Sequence, residues 1–256
     1  MFLSERVKNI KPSGVRKIFD LARKVQNPIN LSIGEPDFDI PDPIKEEGIK
    51  WIRAGFNKYT PSGGIMPLRE RLLHDLQSMG IICEDVIITA GATGGILLAL
   101  MVTMDPMDEV IIPDPYFVLY EYQVLLLGGK PVFVDTYPAF TLKEEKLREV
   151  ITDKTRVILI NSPNNPTGIV YSRKEMEMVA RVAREKNLLV FSDDVYDRFM
   201  YEDGEERVYM GQLYDRTLTI GGFSKTWAMT GWRVGFVAGP KEIIQTMVTM
   251  QQYVFS

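Results

Sequence analysis

A mainly parallel, seven-stranded α/β sheet sandwiched between helices is the fold that this sequence predicts, and three observations point to it. Seven short apolar runs are separated, for most of the chain, by stretches of helical composition. Short buried strands alternating with helices imply a parallel sheet covered on both faces. The polar irregularities fall just past the strand ends, where open sheets of this kind bind their ligands. A chain of 256 residues is also long enough to bury a substantial core without staples.

The elements follow in order. Residues 1–30 read as a polar arm with one amphipathic helix near residues 15–24. Leu31-Ser32-Ile33-Gly34-Glu35-Pro36-Asp37-Phe38, with Pro41 and Pro43 behind it, is a loop, because closely spaced proline and glycine interrupt regular structure. A helix is expected over residues 44–54. A second loop, Tyr59-Thr60-Pro61-Ser62-Gly63-Gly64, precedes a helix over residues 68–78. Strands are then expected at 86–89, 109–112, 131–134, 156–160, 188–191, 218–220 and 234–237. Helices are expected at 91–104, 116–127, 142–151 and 173–186, and a last one at 240–253. The final two strands have no good helix between them, so the sheet should gain an antiparallel member there.

Composition excludes several classes. The formal net charge of -4 gives no basic excess for nucleic acid. Cys83 stands alone, so no intrachain disulfide can form and a reducing compartment suits the chain. Only Met1-Phe2-Leu3 precedes charged residues, which is no signal peptide, and no apolar run reaches transmembrane length. A cytoplasmic protein without membrane partners and without a metal site is the expectation.

Five segments carry the chemistry. In Gly221-Gly222-Phe223-Ser224-Lys225 the lysine closes a strand end, and Gly231-Trp232-Arg233 puts an arginine eight residues on. An isolated lysine there is ordinarily solvated. Beside a fixed positive charge and partly desolvated, its amine has a lowered pKa, which favours a neutral nucleophile or a Schiff base. Asn161-Ser162-Pro163-Asn164-Asn165-Pro166-Thr167-Gly168 reads, alone, as a turn. Ser192-Asp193-Asp194-Val195-Tyr196-Asp197 puts carboxylates at a strand end, commonly a helix cap. Gly91-Ala92-Thr93-Gly94-Gly95 lies between a strand and a helix, where free N–H groups and the helix dipole favour a phosphate. Its spacing fits neither a P-loop nor a dinucleotide fingerprint. Pro113-Asp114-Pro115-Tyr116-Phe117-Val118-Leu119-Tyr120 brings aromatic residues onto a helix, ordinarily as core.

Taken together and in this chain order, from Ser13 to Phe236, the segments resemble the class I/II aminotransferases, fold-type I enzymes that use pyridoxal 5′-phosphate (PLP). The lysine segment and the run Pro163 to Gly168 are the specific matches. The resemblance implies that Lys225 holds PLP as a Schiff base, with Ser224 and Arg233 beside the cofactor. It implies that Asn165 hydrogen-bonds the phenolic oxygen near the substrate carboxylate, and that Asp193 meets the pyridine nitrogen while Tyr196 donates to the phenolic oxygen. Asp194 competes with Asp193 for that role, and register favours Asp193. Gly91, Ala92 and Thr93 would hold the phosphate. Phe117 would stack on the ring, with Tyr116 as the alternative. Gly34 would approach the substrate, and Tyr59 would reach the site of a neighbouring subunit, which makes the expected active unit a homodimer. Two positions depart from the family pattern: Gly222 replaces a frequent serine, and Met107 stands where glycine is frequent.

The implied reaction moves an amino group between an L-amino acid and a 2-oxo acid, the freed Lys225 removing the Cα proton and returning it. Related PLP lyases and synthases share nearly all these residues. The implied organisation is an arm with part of a small domain at 1–43, a PLP-binding large domain at 44–240, and the start of a long interdomain helix at 241–256. On that division part of the last helix's apolar face, with Ile243, Ile244, Met247, Val248 and Met250, is expected to lack its usual partner, and the 256-residue form to bind PLP but transaminate poorly.

Overall fold

The computed structural model describes residues 34–201 and 207–255, with Phe2, residues 4–8, Ile10 and Ile29 before them. The helix expected at residues 15–24 lies outside the described residues, as do residues 31–33 and Ser256. A single turn, α1 (Glu5–Lys8), precedes α2 (Asp42–Arg53) and α3 (Met66–Ser78). Strands and helices then alternate: β1 (Asp85–Ala90), α4 (Gly91–Thr103), β2 (Glu109–Asp114), α5 (Leu119–Leu126), β3 (Lys130–Asp135), α6 (Glu144–Glu149), β4 (Thr155–Asn161), α7 (Arg173–Lys186) and β5 (Leu189–Asp193). The short α8 (Met210–Leu213) leads into β6 (Thr217–Gly222), a 3-10 turn at Thr230–Trp232, β7 (Val234–Gly239) and α9 (Lys241–Val254).

All seven strands form one sheet in the order β1-β7-β6-β5-β4-β2-β3. Strand β7 runs antiparallel to both its neighbours, and the remaining pairs are parallel. The chain passes from β6 to β7 without the helical crossover that a parallel return requires. Strands β2, β4 and β5 are buried almost along their length, as strands covered on both faces must be. Ile112, Leu159 and Phe191 pack with α4 and α9 on one face, while Ile111, Ile158 and Val190 pack with α7 on the other. Successive side chains on a strand point to opposite faces, so each strand serves both cores.

Local chemistry fixes the element ends. At the start of α7 the Ser172 N–H donates to Glu175 Oε2 at 2.8 Å and the Glu175 N–H to Ser172 Oγ at 3.4 Å, a reciprocal cap. Its end is Asn187, left-handed at φ 56°. Met107 is also left-handed, at φ 72°, which accounts for glycine being suited to that turn. The expected start of α5 at residue 116 is three residues early. Residues 115–118 form the turn that enters the helix at Leu119, and this turn carries Tyr116 and Phe117 into the cleft described below.

The expected exposure of α9 is corrected. Ile244 and Met247 are fully buried, and Ile243, Val248 and Met250 pack against the same core cluster. The reason is α4, which is apolar around its whole circumference and so lies between the sheet and a second covering layer. The polar side of α9 stays in solvent, and its exposed large apolar residues, Tyr253 and Val254, lie at its C-terminal end.

Candidate active site

The carboxyl ends of the parallel strands β4 and β5 and the adjoining ends of β1 and β6 deliver their following residues to one cleft of about 480 Å³. That size suits a cofactor with part of a substrate. Gly34, Ala92, Thr93, Phe117, Asn165, Asp193, Tyr196, Ser224, Lys225 and Arg233 all line it. Two expected members do not. Gly91 lies under Arg233, and Tyr59 is fully exposed away from the cleft.

One end of the cleft is built by backbone approach. Strands β1 and β7 pair Ala90 with Val234, so the residues just beyond, Gly91 and Arg233, meet at the sheet end. A Cβ on Gly91 would lie 2.5 Å from Arg233 Nη2, and Gly91 itself has φ +69°. Arg233, left-handed at φ 54°, is fixed by donation from Nη1 to the Thr230 carbonyl at 2.9 Å. Gly235 lets β7 approach the start of α4, because a Cβ there would lie 2.5 Å from the Ala92 nitrogen. The N–H groups of the first turn of α4 have no intrahelical partner. Gly222, where a serine was the commoner expectation, faces the same helix start.

Lys225 projects across the middle. Its Nζ donates to the Gly34 carbonyl and stands 5.6 Å from the centre of the Tyr196 ring. Burial pulls its pKa below the ordinary lysine value; Glu35 opposes this and Arg233 adds to it. The sequence-based expectation assigned the lowering to both burial and Arg233, and burial is the larger cause.

The far end holds Asp193, the last residue of β5. Burial raises its pKa to about 6, against hydrogen bonds from Tyr120 and the Val195 N–H and the charge of Lys225. Tyr120 donates to Oδ2 at 2.6 Å and Val195 to Oδ1 at 3.3 Å. Asp194, one residue on, is engaged elsewhere: Arg207 Nη2 donates to its Oδ1 at 2.6 Å and Ser192 Oγ at 3.1 Å. Consecutive strand positions face opposite ways, so only Asp193 enters the cleft.

The Asn-Pro-rich run has a divided task. Asn164 builds the turn, its Oδ1 accepting from Thr167 Oγ1 at 2.8 Å while its carbonyl accepts from the Gly168 N–H at 2.8 Å, with Gly168 at φ +75°. Asn165 faces the cleft, and its Nδ2 donates to the Tyr196 hydroxyl at 3.3 Å. Asn161 joins two strand ends. Its Nδ2 donates to the Asp193 carbonyl at 2.8 Å, and its Oδ1 accepts from the Asn165 N–H at 2.7 Å.

Of the two aromatics, Tyr116 is committed. Its ring stacks on Phe133 at 4.8 Å and its hydroxyl donates to Glu121 at 2.7 Å. Phe117 lines the cleft and meets Tyr120 in a T-shaped contact, with ring centres 5.7 Å apart. Tyr120 and Asn161 had no role assigned from the sequence. The available signal for Tyr120 was its position three residues after Phe117 within the helix expected at 116–127.

The description "Aminotransferase class I and II" matches residues 26–256. Aromatic-amino-acid aminotransferase 2 of Thermococcus litoralis is 43% identical over 262 residues, covering 99% of this chain and 67% of that protein. An aspartate aminotransferase of Pyrococcus abyssi is 42% identical, with the same coverage of each, 99% and 67%. The solved aspartate aminotransferase from Thermus thermophilus with maleate matches with a TM-score of 0.94 at 37% identity, over 99% of this chain and 69% of that one. The chain thus spans about two thirds of the length of these relatives. By this match and by its fold, the chain belongs to the class I and II aminotransferase family, whose aspartate aminotransferase-type members use PLP.

Proposed function

We propose that this chain forms the cofactor-binding part of an aminotransferase that moves an amino group between an L-amino acid and a 2-oxo acid, with Lys225 as the amine that holds PLP. The observation that carries this reading is a lysine made less basic by burial in the same cleft as a buried carboxylate. The donor set fits PLP from end to end. The start of α4, with Ala92 and Thr93, joins Ser224 and Arg233 as an anion site. Phe117 offers an apolar ring face, worth roughly 0.5–1.5 kcal/mol when stacked. Asn165 and Tyr196 offer hydrogen-bond donors at the middle, and Asp193 an acceptor at the far end.

PLP, when bound, supplies an electron sink for the pair left at the substrate Cα. Asp193 would be the carboxylate that meets the ring nitrogen, and its negative charge, favoured by the Tyr120 and Val195 hydrogen bonds, would stabilise a proton there. Lys225 would be the amine that holds PLP, and its Nζ, made less basic by burial, is the base placed to take and return the substrate's Cα proton. The Gly34 carbonyl, which accepts from Nζ, would orient the free amine in the cleft.

Tyr59 belongs to a different surface. We assign it to the site of a second copy, which makes the working unit a homodimer; its full exposure and its absence from the cleft support that. A cytoplasmic location accords with a lone cysteine, Cys83, buried and with its thiol pushed up to about 11 by burial. Among the described residues no helix is long and apolar enough to cross a membrane.

The test is a panel of single amino acids against the PLP-loaded protein. Conversion of the cofactor to pyridoxamine phosphate with release of a 2-oxo acid supports amino transfer. Turnover that returns the cofactor as PLP identifies a lyase or synthase instead.

A further inference from the structure

We propose that Asn161 is a positioning residue that sets the distance between Asp193 and Asn165, and through them the placement of PLP. The inference rests on the reading that both residues contact the cofactor. A single buried carboxamide makes both connections. Its Nδ2 donates to the main-chain carbonyl of Asp193 at 2.8 Å, and its Oδ1 accepts from the main-chain N–H of Asn165 at 2.7 Å. Asn161 is 3% exposed, so neither contact is shared with bulk solvent. Asp193 ends β5, whereas Asn165 lies in the loop after β4. Beyond the last ladder pair, Asn161 with Asp193, the sheet no longer ties these segments together. The carboxamide extends that tie into the loop.

The bonds involve the main chains of Asp193 and Asn165, which leaves both side chains available. The Asn165 amide donates to Tyr196, and the Asp193 carboxylate accepts from Tyr120 and the Val195 N–H. The titratable groups facing Asp193 are Tyr120, Tyr196 and Lys225, with Asp194 behind it in the chain. Asn161 carries no charge, so it acts on the site through position. Only a side chain with a donor and an acceptor at fixed separation makes both bonds. Alanine makes neither, and aspartate retains the acceptor but loses the donor.

The experiment compares wild type, Asn161→Ala, Asn161→Asp and, as a control, Ser162→Ala. Ser162 is equally buried in the same loop, but its Oγ accepts from the Tyr171 N–H and does not touch the two cofactor residues. Two readouts are taken on each folded variant: the affinity for PLP, and the pH midpoint of the bound cofactor's absorption. Loss of buried hydrogen bonds predicts about tenfold weaker PLP binding and a displaced midpoint for both Asn161 variants. Ser162→Ala is predicted to lose thermal stability without moving the midpoint. In a cycle with Asn165→Ala, the combined loss of affinity is predicted to fall well short of the product of the single losses. Wild type that binds no PLP overturns the site reading and this inference with it. Wild type that binds PLP, beside folded Asn161 variants with unchanged affinity and midpoint, overturns this inference alone. If Asn161→Ala does not fold, the same comparison is decided on Asn161→Asp.

Discussion

The buried hydroxyl of Tyr120 donates a 2.6 Å hydrogen bond to Oδ2 of Asp193. The phenol's own pKa is raised far above its ordinary value, by burial first and by the neighbouring carboxylate second, so it remains a donor across the working pH range. The bond favours the ionised carboxylate. A hydrogen bond to a charged group is worth about 1.5–3 kcal/mol. Tyr120→Phe keeps the ring against Phe117 and removes that bond, so the Asp193 midpoint is predicted to rise by about one to two pH units. Carboxyl-carbon NMR of the cofactor-free protein reads it directly, and an unmoved midpoint contradicts the assignment.

Stability should carry the same signature. Burial raises Asp193 from 3.8 to about 6, so folding favours its protonated form. That contribution is complete below the unfolded value and is lost as pH rises through about 6. The cofactor-free protein is therefore predicted to lose on the order of 3 kcal/mol of stability through this window from Asp193 alone. Asp194, also raised by burial, contributes with the same sign. Denaturant titrations across the window should show a shallower slope in Asp193→Asn than in wild type. Equal slopes would mean that Asp193 is not buried as described.

The adjacent carboxylates should separate by phenotype. Asp193→Asn is predicted to keep the fold and lose most activity, because asparagine cannot stabilise a pyridinium proton by charge. Asp194→Ala leaves Arg207, with 11% of its side chain exposed, without its ion-pair partner. That variant is predicted to lose about 3 kcal/mol of stability. Activity and thermal melting, measured on both, decide the matter. A stable but inactive Asp194→Ala protein would move the cofactor contact by one residue.

Much of the fold was legible because it depends on period and composition. The apolar centres of β2, β4 and β5 (residues 110–112, 157–160 and 189–191) are unbroken, and the reciprocal cap of α7 is written in Ser172 and Glu175. The antiparallel β7 was legible from a missing crossover helix. Residues whose motif position matched their chemistry, Lys225, Asn165 and Asp193, reached the same cleft as expected. What escaped depends on tertiary distance. The Tyr120–Asp193 bond joins positions 73 residues apart, and the Asn161–Asp193 bond joins positions 32 apart. The covering of α9 escaped for the same reason, since its partner α4 lies far upstream. Gly91 was expected at the phosphate because a glycine-rich turn suggests direct backbone contact, and its observed place under Arg233 follows from the β1–β7 register.

That register yields its own prediction. Gly91→Ala places a methyl group 2.5 Å from Arg233 Nη2 at a backbone φ of +69°. The left-handed conformation costs an L-residue about 1–2 kcal/mol, and the guanidinium must move as well. Affinity for PLP is predicted to fall more than affinity for pyridoxal, which has no phosphate. Equal losses for both would show that Arg233 does not serve the anion end.

The central claim is that Lys225 is the amine that holds the cofactor. The most direct measurement is borohydride reduction of the PLP-treated protein, followed by peptide mapping by mass spectrometry. A pyridoxyl-phosphate adduct on the peptide containing Lys225, absent from Lys225→Ala, is the predicted result. An adduct confined to other lysines, or equal labelling of wild type and Lys225→Ala, would contradict the account.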